Sequence, residues 1–126
     1  MLAITRLKPS DSISVDSAAI SALFRTHGAV IAEDILMRRV VELTDGITSL
    51  DATALEKASA LDADRLRTLA ALAKDTGLIT LAQSLGAVVQ ALAADNRMAL
   101  PALWERVKRI GDRSLVMLWD LPQLRM

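Results

Sequence analysis

Apolar residues recur along most of this chain at intervals of three and four. The most regular run is Leu36, Val40, Leu43, Ile47, Leu50 and Ala54, which steps alternately by four and three. That is an a/d seam at helical spacing. It predicts one long helix over about 29–60, with a break near Ser49-Leu50-Asp51. Gly46 falls off the seam, where it costs helix stability and leaves the apolar stripe intact.

The rest of the chain divides around this segment. Residues 1–14 form an extended lead-in, because Pro9 and the cluster Ser10-Asp11-Ser12 break any periodicity. A first helix begins near Asp16, carries Ala19, Ile20, Leu23 and Phe24, and stops at Thr26-His27-Gly28. Asp62-Ala63-Asp64 supplies a turn and an N-cap for a third helix that runs to about Asp75. Its inner face is Leu66, Leu69, Ala70 and Ala73, and Thr76-Gly77 ends it. A fourth helix carries Leu78, Leu81, Ala82, Leu85, Val88, Val89 and Leu92, and Asp95-Asn96 closes it. Pro101 fits the first turn of a fifth, whose stripe is Leu103, Trp104, Val107, Ile110, Ser114, Leu115 and Leu118, before Pro122. Short connections between the later helices imply antiparallel neighbours. The expected fold is all-α: an antiparallel, up-down bundle of four or five helices. It forms a single domain over 15–126, with Trp104, Leu85, Leu69, Leu43 and Ile47 in the core.

Composition agrees with helices. Hydrophobic residues make up 52% of the 126 residues, much of it Ala and Leu, whereas aromatics reach 2%: Phe24, Trp104 and Trp119. Strands favour β-branched and aromatic residues, and the chain is poor in the latter. Basic and acidic side chains balance at 15 each. Nucleic-acid binders usually carry a basic excess, so no nucleic-acid partner is expected. No apolar run approaches the roughly 18 residues of a membrane span. Met1 to Lys8 lacks the long apolar segment of a signal peptide. The expectation is a cytoplasmic protein without a membrane partner.

Candidate chemistry is sparse. The five glycines, at 28, 46, 77, 86 and 111, make no phosphate-cradling loop. One His and no Cys cannot build a typical transition-metal site. His27 has no third-group partner visible for a Ser-His-Asp arrangement. Its neighbour Gly28 suits a cap or turn residue better than a phospho-acceptor, which normally stands mid-helix beside a Lys. Glu33-Asp34 are about 100° apart on a helix, so they do not form a close carboxylate pair. Arg106, Lys108, Arg109 and Arg113 make a charged outer face on the last helix, or a basic surface for an acidic partner. No catalytic residue, metal or cofactor is expected, and the chain does not read as an enzyme.

One segment points further. Arg65-Leu66-Arg67-Thr68-Leu69-Ala70-Ala71-Leu72-Ala73-Lys74-Asp75-Thr76-Gly77-Leu78 resembles the core of histidine-containing phosphotransfer domains. That family's helical bundle carries an H-x-x-K-G motif on an exposed helix face, followed by a small-residue turn and another amphipathic helix. Leu81 to Leu85 and Val88 to Leu92 resemble that next helix, and Ala99 to Val107 the closing one. The likeness covers about 30–115 in layout and a few positions in motif. With Lys74 at the motif Lys, Ala71 stands at the acceptor His and Asp75 at the Gly. Ala has no nucleophilic nitrogen and takes no phosphoryl group. Helical spacing places Arg67, Ala71 and Lys74 on one face. With Asp75, these are the expected partner-binding residues.

The resemblance therefore implies a non-catalytic adaptor in two-component-type signalling, with a protein partner such as a receiver domain or a histidine kinase. The alternative is a small-molecule-binding or enzymatic bundle with its site between helices. A further reading is self-association, as a homodimer, through the long second helix.

Overall fold

The computed structural model describes residues 12–50, 55, 57–58, 60–122 and 124. They form five α-helices: α1 (Ser17–His27), α2 (Ala29–Thr48), α3 (Ala60–Asp75), α4 (Ile79–Ala93) and α5 (Leu100–Trp119). A 3-10 turn, Arg97–Ala99, leads into α5. Among the described residues there is no strand, and Val15 and Leu78 make an isolated antiparallel bridge. The fold is all-α, as the periodicity predicts. No helix among the described residues is long and apolar enough to cross a membrane.

Local chemistry sets most boundaries. The Asp16 carboxylate accepts from the N–H groups of Ala18 and Ala19 and starts α1. At its other end the Gly28 N–H donates to the Phe24 carbonyl at 2.8 Å. Pro101 sits in the first turn of α5, where its missing N–H removes no helical bond. α3 ends in a Schellman turn: Leu78 N–H reaches the Ala73 carbonyl at 2.9 Å and Gly77 N–H the Lys74 carbonyl at 3.0 Å.

Two expectations are corrected. The helix expected over 29–60 does not run on to 60 beyond the break near Ser49-Leu50-Asp51, since Lys57 and Ala58 are not helical; as that break implies, it stops at Thr48. There the Thr48 and Ser49 hydroxyls donate back to the carbonyls of Thr44 and Gly46, at 2.8 and 2.9 Å, competing with the helical ladder. Ala54, the end of the seam, lies outside the described residues. Asp62-Ala63-Asp64 is no turn but the first stretch of α3. Asp62 in the first turn favours the helix dipole, and Asp64 pairs with Arg67 one turn on at 2.6 Å. Gly46, off the seam as expected, also makes a contact: a Cβ there would lie 2.6 Å from a Leu69 methyl, so Leu69 of α3 occupies the space the glycine leaves.

α2 to α5 run alternately up and down. Packing is closest between α3 and α4 and next between α4 and α5. α1 leads from the α3–α4 turn, beside its start, to the beginning of α2. Leu36, Leu43, Leu66, Leu85, Val88 and Trp104 all lie in the buried core, and Ile47 packs against it half-buried. The Trp104 indole N–H donates to the Leu50 carbonyl at 3.3 Å, and Arg97 to the Leu55 carbonyl at 3.1 Å. These bonds hold Leu50 and Leu55 at the far end of the bundle.

The described part of the lead-in is held in place. Ser14 N–H donates to the Thr80 hydroxyl and Asp16 N–H to the Gly77 carbonyl, both at 2.7 Å. Gly77 has φ of +82°, and a Cβ there would stand 2.8 Å from the Asp16 carbonyl oxygen. The turn and the lead-in therefore share a position that a side chain would obstruct.

Candidate docking surfaces

The residues singled out on α3 share its solvent face. Arg67, Ala71, Lys74 and Asp75 are exposed, while Leu66, Leu69 and Ala73 are buried beneath them. Arg67 is held by Asp64, and the Asp75 carbonyl accepts from Arg39 of α2 at 3.2 Å. Lys74 and Asp75 make no ion pair among the described residues. Ala71 and Lys74 line a shallow groove of about 420 Å³ whose other walls are Ala70, Ile79, Ala82 and Gln83. Small side chains on both helices keep this groove flat. The structure thus brings Ala71 and Lys74 together and adds Gln83 of α4, while Arg67 and Asp75 stand beside the groove rather than in it.

A different surface lies on the seam between α2 and α5. A half-open cleft of about 390 Å³ has Leu43, Ile47, Leu50, Leu81, Gly111 and Leu115 in its walls and floor. Thr44, Thr48, Lys108 and Asp112 complete its lining. A smaller concavity of about 200 Å³, formed by Glu33, Met37, Trp119 and Leu124, continues along the seam. Met37, Val41 and Trp119 remain 46%, 52% and 38% exposed. Sequence reasoning missed this surface. Its signal is a second helical stripe on α2, Val30, Met37, Val41, Thr44 and Thr48, about 110° around from the buried seam.

The remaining candidates are simpler. His27 is the exposed last residue of α1, beside the Gly28 that caps the helix. Asp34 pairs with Arg38 one turn on at 2.6 Å, while Glu33 stands on the seam. On α5, Lys108 is held by Glu105 at 2.7 Å and faces the cleft, whereas Arg109 and Arg113 are exposed elsewhere on the helix. The Ser114 hydroxyl is buried without a hydrogen-bond partner among the described residues. Among the described residues, no group of His, Asp or Glu is placed to hold a metal ion.

Comparison with known proteins gives no relative: no family model, no curated protein and no solved structure matches the chain. What the fold defines is a class, an all-α helical bundle.

Proposed function

We propose that the protein is a non-catalytic interaction module, an adaptor similar in layout to a phosphotransfer domain, whose docking face is centred on Ala71. One observation carries this reading. Ala71 lies exposed in a flat, small-residue groove with Lys74 at its edge and Arg67 one turn away, on a helix whose inner residues Leu66, Leu69 and Ala73 are buried. A partner can approach such a surface closely, and its carboxylates would meet the two cations at the rim. A receiver domain, with an acidic pocket, is the partner of that chemistry. Rim charges of this kind tune association rate and salt dependence more than affinity.

The test is a calorimetric titration against isolated receiver domains from the source organism. Ala71→Glu should abolish binding, because it obstructs close approach and buries an unpaired charge. Its circular dichroism spectrum should match the wild type. Lys74→Ala should weaken binding modestly, and more at low salt. A phosphorylated receiver should transfer no phosphoryl group to the wild type. Full affinity in Ala71→Glu, or acid-labile phosphate that vanishes in His27→Ala, would reject the reading.

A further inference from the structure

We infer that the α2–α5 seam is a second docking site, a groove that takes an amphipathic helix whose apolar face is flanked by Lys or Arg. This rests on a different face of the bundle and stands independently of the α3 surface.

Shape comes first. The walls are two antiparallel helices, since Met37 lies near Trp119 at one end and Thr48 near Lys108 at the other. Between Met37 and Thr48 the seam is about 16 Å long, which matches roughly three turns of helix. The apolar surface also extends past the cleft itself, onto Met37, Val41 and Trp119. A small molecule seated on the cleft floor would leave that rim uncovered. A helix lying along the seam covers it, which is the helix-in-groove mode of recognition.

Charge then selects the partner. The cations on or beside the seam are already engaged: Arg38 with Asp34 and Lys108 with Glu105. The carboxylates Glu33 and Asp112 line it and make no ion pair among the described residues. The unmatched charge on the rim is negative, so basic flanks on the incoming helix complement it. A second copy of this chain would present the same acidic rim in an isologous contact, bringing like charge to like.

The full chain can be tested with two 18-residue model helices that lack Trp. Both carry Leu on one face and Ala elsewhere, one with Lys flanks and one with Glu flanks. Trp119, at the rim, reports binding by its emission, and amide chemical shifts locate the site. The Lys peptide should blue-shift the emission, an effect lost in Trp119→Phe. It should also move amides of 37–48 and 108–119. The Glu peptide should bind about tenfold more weakly or worse, and Val41→Lys and Asp112→Lys should each weaken the Lys peptide by about the same factor. Both positions are exposed, so unchanged circular dichroism checks the fold. Equal binding of the two peptides, or shifts elsewhere or none, would overturn the proposal. So would a dimer that Val41→Lys dissociates, which would assign the seam to a second copy. Seam shifts produced by decanoate but by neither peptide would assign it to a small amphiphile.

Discussion

The α3–α4 pair and the α2–α5 pair are both antiparallel helices in one bundle, yet the first packs closely beneath a shallow groove and the second stands apart around a cleft. α3 and α4 are joined by the short turn Thr76-Gly77-Leu78, and Ala70, Ala73 and Ala82 let their axes come close. α2 and α5 are distant in sequence. No turn draws them together, and between them lie Leu43, Ile47 and Leu115, with the Lys108 stem at the edge. The closely packed pair leaves only a shallow groove outside. The open pair leaves a furrow. The same hydrophobic periodicity runs through both, so periodicity sets which side of a helix is inside. Side-chain size and connectivity set how near the next helix comes.

The largest expected effect lies where the open pair is closed off at its end. Trp104 is fully buried and ties α5 to Leu50 through its indole N–H. Trp104→Ala should cost about 3–5 kcal/mol in urea unfolding, from lost burial and a cavity. Val41→Ala, on the exposed rim of the same pair, should stay within about 0.5 kcal/mol of wild type. Comparable losses at the two positions would mean that the seam is closed.

Next comes the closely packed pair. Gly77→Ala forces a side chain into a left-handed conformation and against the Asp16 carbonyl. A loss of about 2 kcal/mol is expected, roughly the left-handed penalty with a steric addition. Faster amide exchange at Ser14 and Asp16 should accompany it, because their N–H donors depend on this turn and on Thr80. Protection unchanged at those amides would show that the lead-in is not held there.

The smallest effect separates two opposing terms at Gly46. Replacing Gly by Ala within a helix gains about 1 kcal/mol, whereas overpacking a close contact costs about 1–3 kcal/mol. Leu69 fills the site with its branched end, so Gly46→Ala should destabilise by about 1 kcal/mol net. In a Leu69→Ala background the sign should reverse. Thermal midpoints of the four proteins in this cycle decide it, and stabilisation by Gly46→Ala alone would mean that α3 stands further from α2.

Helix faces and most caps were legible in the sequence because each depends on residues a few positions apart, whereas the N-cap expected at Asp62-Ala63-Asp64 proved to be helix interior. Asp16, Gly28, Thr76-Gly77 and Pro101 mark boundaries by local hydrogen bonding or a fixed φ. The stop at Thr48 falls at the break expected near Ser49-Leu50-Asp51, and only the continuation to 60, which the apolar stripe suggested, was misread. The Gly46–Leu69 contact and the Thr80–Ser14 bond join residues far apart along the chain, and spacing carries no trace of them. The α3 surface was legible as one helix face, although Gln83, which completes its groove, comes from α4. The seam was missed for a similar reason. Its α2 wall is a visible second stripe, but a cleft exists only where α5 stands off, and that is set by packing across the whole bundle.

If partners meet the flat face around Ala71, amide shift mapping of the labelled 126-residue chain during titration with a receiver domain will place them there. Saturable shifts are expected at Arg67, Ala71, Lys74 and Gln83, with none in 37–48, and no shifts at all in Ala71→Glu. Saturable binding whose shifts spare α3, or that survives Ala71→Glu, would contradict docking at this face.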